Sequence, residues 1–339
     1  MFNRQAPRWG HTLPSAIALM APFDLLASLA MDIYLPVVPL MPGALGTSPA
    51  RVQLTLSIYL LVLGVGQLLF GPLSDRIGRR PVLLLGALLF TVASFALALS
   101  SNSGFFLAWR TVQAIGASVA LVATFATVRD VYADTPQGAS LYGLFASMLA
   151  FVPALGPMLG ALVAAAAGWR AIFVLLGVLG LVAVLRAQRL WQETRPAGRR
   201  DAGPALQKIL RSGAFWVYTL GFSAAMGTFF VFFSIAPRVL VERMQYSQIT
   251  FSLAFATVAL VMILMSRMAK TFIARWAVPG TFVRGLCVMV AGVLLMALAA
   301  ELPLSFASVV LPMWGIAVGL VMVVSVAANG ALREFADAS

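Results

Sequence analysis

The sequence predicts an all-α polytopic membrane protein. Of its 339 residues, 61% are hydrophobic and only 10% are charged, whereas soluble domains carry about a quarter charged residues. The apolar residues fall in long uncharged runs close to the ~20 residues that cross a bilayer as a helix. The basic residues also sort to one side when the runs are threaded alternately. With the N-terminus inside, Arg51, Arg170, Arg238 and Arg243 fall outside and Arg110 falls within a run, while the other eighteen of the 23 Lys and Arg lie on or near the inside. That bias follows the positive-inside rule. The net charge of +12 therefore reports topology, and nucleic acid is not an expected partner.

Ten spans are expected, at about 13–40, 52–71, 81–100, 104–128, 138–164, 170–190, 214–237, 248–267, 280–300 and 304–330. The first carries two acids, Asp24 and Asp32, and is too long for a cleavable signal peptide. The second and third are joined by GPLSDRIGRRP, residues 71–81. There Gly71 and Gly78 would let two helices end and restart, and Asp75 would lie near the favourable N-terminal end of the third helix. Arg76 belongs to the same turn, and Arg79 and Arg80 would hold anionic headgroups at the membrane edge. The fourth span contains RTVQAIGAS, with Arg110, Gln113 and Gly116. The fifth contains PALGPMLGA, whose Gly156 and Gly160 permit close helix approach and whose Pro157 would loosen a backbone hydrogen bond.

The sixth span ends at WQETRPAGRRDAGPALQKILRSG, residues 191–213, a stretch rich in Arg, Gly and Pro that reads as a connector. The seventh is aromatic, with FFVFF at 229–233, and the eighth and ninth flank SRMAKTFIARW, residues 266–276. Six spans, a basic connector and a second helical unit suggest a duplicated transporter. On that reading, 1–190 is a six-helix bundle, 191–213 the connector and 214–339 a partial second bundle lacking its last two helices.

Several functions are excluded by what the chain contains. Cys287 is the only cysteine and His11 the only histidine, so no intrachain disulfide, thiolate cluster or histidine-based metal or catalytic site is available. Cys287 is expected to be buried and His11 solvated. No P-loop is present, and Gly64 and Gly66 lack the strand and third glycine of a nucleotide loop. The chain is therefore expected to be no enzyme, to need no cofactor or metal, and to draw on an ion gradient.

Three ionisable residues lie within spans: Asp24, Asp32 and Arg110. Charges in hydrocarbon cost at least ~2.5–3.5 kcal/mol on insertion scales and mark function by default. An eight-residue spacing is about 80° around a helix, so both acids can face one cavity. Burial favours a carboxyl's neutral form and an adjacent guanidinium its charged form, a competition that suits proton coupling.

The 71–81 turn, with its G-x-L-x-D-R-x-G-R-R order, resembles the loop between helices two and three of the major facilitator superfamily. Span four is similar to that family's R-x-x-q-G-x-g pattern, except that Ala114 replaces the first glycine. Gly156, Pro157 and Gly160 resemble the motif of its antiporting exporters. The first span, ATFATVRDVYAD at 123–134 and GTFFVFFSIAP at 227–237 make the chain similar to the chloramphenicol and florfenicol exporters of the Bcr/CflA group. The resemblance implies a major facilitator fold of two bundles and export of phenicols by proton antiport. It also implies a monomer in the bacterial inner membrane, N-terminus cytoplasmic, whose partners are a small-molecule drug, protons and lipid. It assigns coupling to Asp24, Asp32 and Arg110, switching to Gly71, Asp75, Arg76, Gly78, Arg79 and Arg80, and engagement of helix eleven to Asp75. Tyr34, Met148, Phe229, Phe230 and Phe233 are expected to line the drug.

Overall fold

The computed structural model describes residues 9–132, 136–195, 211–301 and 305–332, with Met148 among the helical residues whose side chains lie outside that description. The protein divides into two compact units, Met1–Gly198 and Arg199–Ser339.

In the first unit, α1 spans Leu13–Asp32 with a proline in its first turn, where the missing N–H has no intrahelical partner to lose. Beyond Asp32 the chain tightens into a 3₁₀ stretch, Leu35–Leu40, followed by one helical turn, Met41–Ala44. Pro36, Pro39 and Pro42 withhold the donors that a continuing α-helix would use. Helix α2 spans Pro49–Ile77, opened by the Ser48 hydroxyl, which accepts from the Arg51 N–H at 3.3 Å. It runs through Gly71 and stops only at Gly78, where φ is +117°. Gly78 alone makes the joint, because an L side chain rarely adopts that backbone. Helix α3 restarts at once as Arg79–Ala98. Next come α4, Ser103–Tyr132, α5, Pro136–Ala167, and α6, Trp169–Leu190.

Helix α3 packs between α4 and α6, α2 lies on α4, and α1 touches α4, α5 and α6. Small residues set the closest approaches, as in membranes, where van der Waals packing must replace the hydrophobic effect. A Cβ on Gly156 of α5 would lie 2.7 Å from the Cβ of Asp32, and one on Gly160 would collide with the Ile33 carbonyl. On α3 and α4, Gly86 and Gly116 meet backbone to backbone. Leu61, Leu68 and Leu85 stay exposed, an apolar outer face that suits lipid.

The second unit contains α7, Gly213–Pro237, a π-helical turn, Arg238–Arg243, then α8, Gln248–Ala300, and α9, Phe306–Leu332. Helix α8 packs along α9, and α9 against α7. At 53 residues α8 is too long to be one span, and it breaks at Ala277, with φ 54° and ψ 178°. Cys287, expected to be buried, is exposed on α8.

The described residues contain eight stretches long and apolar enough to cross a membrane. The apolar Leu155–Ala167 part of α5 and the break in α8 bring the helical stretches into line with the spans expected from the sequence. This is an all-helical, multi-pass membrane architecture.

Two substitutions test the packing. Ala277 occupies a region nearly reserved for glycine, at a cost of about 1–3 kcal/mol. Ala277→Gly should therefore raise the thermal unfolding midpoint in detergent, stabilising the protein by about 1 kcal/mol after glycine's own entropy cost. Gly160→Leu should lower it, since α1 and α5 cannot part to admit the side chain without about 1–3 kcal/mol of overpacking strain.

Candidate functional site

The first unit buries a cation in its core. Arg110, in the first half of α4, is fully buried. Its Nη1 donates to the Ala30 carbonyl of α1 at 3.1 Å and to Gln113 Oε1 at 2.7 Å. Gln113 lies one turn further along α4 and is held in turn, its Nε2 donating to Ser94 Oγ of α3 at 2.8 Å. The guanidinium carbon lies 4.4 Å from the Tyr59 ring centroid and 5.1 Å from that of Tyr34. Both distances are within cation–π range, and the attraction strengthens where water is excluded. Tyr59, on α2, is fixed by its hydroxyl, which donates to the Ala27 carbonyl at 2.7 Å.

Asp24 and Asp32 are also buried, 9% and 5% exposed, on the same helix that supplies Ala27 and Ala30. Asp32 is the last residue of α1 and lies under Gly156 of α5. The three ionisable residues singled out in the sequence therefore share the interior of one bundle. No ion pair among the described residues joins Arg110 to either acid. The guanidinium instead faces two aromatic rings and a backbone carbonyl.

At the end of the unit carrying the α2–α3 joint, charges form a second cluster. Arg79 is 3% exposed and donates through Nε to Asp130 Oδ2 on α4 at 2.7 Å; its Nη1 is 2.6 Å from Asp75. Arg79 is thus an internal tie, not the headgroup anchor expected from sequence. Asp75 is exposed, pairs with Arg79 and lies 3.9 Å from Arg129. The carboxylate at the start of α3 belongs to Glu193, in the segment after α6, and not to Asp75. Glu193 accepts from the backbone N–H groups of Arg79 and Arg80 at 2.8 and 3.2 Å, which suits the positive end of a helix. Arg80 reaches the Gln188 carbonyl, and the Arg76 carbonyl accepts from Arg195. The N-terminal approach joins this end: Trp9 donates to the Tyr132 hydroxyl, and the His11 ring contacts the Leu190 carbonyl.

Sequence reasoning missed Tyr59, Asp130 and Glu193. Asp130 stood in a quoted motif without a partner to give it meaning. Tyr59 looked like any aromatic in an apolar run, and Glu193 like part of a connector.

The expected drug-lining residues belong to both units. Tyr34 is fully buried in the first unit, its ring over Arg110 and beside Phe106 and Phe173. In the second unit Phe229 and Phe233 are buried. Phe233 packs edge-on to Phe255 at 4.6 Å and lies 5.5 Å from Phe229. Phe230 is half-buried and 6.0 Å from Phe229. Pro157 is buried in α5. Among the described residues no group of three or more His, Cys, Asp or Glu could hold a metal ion.

This arrangement has relatives. A chloramphenicol resistance protein of Pseudomonas aeruginosa is 50% identical over 331 residues, 96% of this chain and 78% of its own length. The multidrug resistance protein MdtL of Shewanella oneidensis is 30% identical over 239 residues, 70% of this chain but only 60% of that relative. In fold, the xylose transporter XylE of E. coli matches with a TM-score of 0.72 over 95% of this chain and 84% of its own, at 14% identity. A bacterial homolog of the lysosomal transporter Spinster matches with a TM-score of 0.70, 17% identity and coverage of 95% and 76%. The Major Facilitator Superfamily pattern covers residues 23–335, including both acids of α1, the buried arginine and the charged α2–α3 joint, and the chain belongs to that superfamily.

Proposed function

We propose that the protein is a secondary active exporter that moves phenicol antibiotics out of a bacterial cell in exchange for protons. The observation that carries the cargo class is the 50% identity, across 96% of the chain, to a chloramphenicol resistance protein. Coupling is supported by the two acids and one guanidinium buried together in the first bundle, since intramembrane ionisable residues mark ion and proton paths. A broader range of small amphipathic drugs is the second reading, favoured by the likeness to MdtL.

On this reading Asp32 exchanges the proton. It ends α1, sits against the close-packed Gly156 of α5, and follows Ala30, the carbonyl that holds Arg110. A shift between α1 and α4 would change how near the guanidinium lies to the carboxyl. Asp24, two turns earlier, is the second candidate acid. The Arg79–Asp130–Asp75 cluster is the switch, and Gly156, Pro157 and Gly160 let α5 ride closely on α1. The protein works as a monomer in the inner membrane, with its N-terminus and the Arg79 end on the cytoplasmic side, and needs no cofactor beyond the proton gradient.

Drug efflux from cells carrying the protein should collapse when a protonophore is added; efflux that persists without a gradient would count against antiport. Asp32→Asn should abolish drug-driven proton release in proteoliposomes, whereas unchanged release would remove Asp32 from coupling. Asp130→Ala leaves the buried Arg79 with no buried carboxylate, only the exposed Asp75 and the Ser74 hydroxyl. Its stability in detergent should fall by about 3 kcal/mol, the usual result of removing one partner of a buried pair.

A further inference from the structure

The contacts of Arg110 leave one side of its guanidinium unused. Nη1 is doubly engaged, by Ala30 and by Gln113. Nε and Nη2 are buried and have no hydrogen-bond partner among the described residues. Those two nitrogens form the side-on fork of an arginine, whose parallel N–H bonds match the two oxygens of a carboxylate. A desolvated cation with an unpaired fork is expensive. What compensates here is the Tyr59 ring, 4.4 Å from the guanidinium carbon, with the Tyr34 ring at 5.1 Å.

We propose that Tyr59 is a positioning residue that parks Arg110 against its ring face, tied to α1 at Ala30 but unpaired with Asp32, and that this parked state is a required step of the exchange cycle. The inference rests on the coupling reading above. Three features of Tyr59 suit the task. Its hydroxyl is tied to Ala27, one turn before Ala30 on α1, so the ring follows the helix that carries the acids. It is fully buried, so its interaction with a cation is not screened by water. The guanidinium it faces is held by the Ala30 carbonyl, two residues before Asp32 on α1.

The parked state serves the cycle in a definite way. While the guanidinium lies against the ring, the Asp32 carboxyl has no ion-pair partner and can hold its proton. When the proton leaves, the side-on fork is available to the carboxylate. A weaker ring leaves only the Tyr34 ring and the Ala30 and Gln113 oxygens to hold the parked guanidinium, so the Arg110–Asp32 pair persists longer and the acid reloads slowly. The effect falls on turnover, not on drug affinity.

The test uses the protein reconstituted in proteoliposomes, with labelled chloramphenicol as the probe. Tyr59→Phe keeps the ring and should keep the maximal exchange rate within about threefold; Tyr59→Leu removes it and should lower that rate roughly tenfold or more at unchanged KM. Phenylalanines carrying one, two and three ring fluorines at position 59 deplete the π face with little change of shape, and should lower the rate stepwise. A flat rate across the fluorinated series, in protein that remains monodisperse, would overturn the parking role. So would Tyr59→Leu that exchanges as fast as wild type. The wild-type protein with and without a protonophore separates the two proposals: gradient-independent transport removes the coupling reading, whereas gradient-driven transport indifferent to fluorination removes only the parking role of Tyr59.

Discussion

The fully buried guanidinium of Arg110 organises the core of the first unit. Arg110 has no access to water, so every element around it must offer electron density or leave a charge stranded in a medium of low polarity. Helix α1 offers a carbonyl, α2 an aromatic face, and α3 a serine that steadies Gln113 on Arg110's own helix. Four helices are thereby referred to one point. The choice of π faces over a carboxylate has a physical consequence. A ring binds a cation without neutralising it, so the arginine is held while its capacity for an acid is kept.

The second constraint is steric. Asp32 closes α1 directly beneath Gly156, and Ile33 lies against Gly160 one turn further along α5. A carboxyl at such a crossing has its surroundings fixed by two backbones, and any sliding of α5 on α1 changes them. The small residues thus do more than permit close packing: they place the end of α1, where the helix gives way to a 3₁₀ stretch, at the tightest contact between the two helices. A larger residue at either glycine would separate the acid from its neighbours as well as the helices from each other.

Much of this was legible in the sequence, and the failures share one cause. The all-helical architecture, the acids of the first span and the arginine of the fourth followed from apolar run length and from the cost of charge in hydrocarbon, which are local properties. The restart at Gly78 was also visible, although Gly71 proved to lie inside α2. What could not be read was pairing over distance. Glu193 lies more than a hundred residues from the helix start it serves and sits in a stretch that looks like linker. Asp75, adjacent to that helix in sequence, was the natural candidate and was the wrong one. Arg79 appeared to be a surface charge until Asp130 was seen to bury it. Tyr59 gave no signal, because an aromatic facing lipid and one facing a buried cation look alike in an apolar run.

Helix α4 links the two charged regions. Arg110 and Asp130 lie on it twenty residues apart, about 30 Å along a straight helix, so the core cation and the partner of Arg79 are parts of one rod. Each is held by a different set of neighbours: α1, α2 and α3 at Arg110, the α2–α3 joint at Asp130. A helix is stiff along its axis, so on the proposed cycle a shift that loosens Asp130 from Arg79 would be carried to Arg110, and a change in what holds Arg110 would be carried back. The coupling needs no chain of intermediate contacts, only that both ends prefer discrete arrangements. The buried Arg79–Asp130 pair provides that at one end, and the proposed exchange of ring face for carboxylate would provide it at the other.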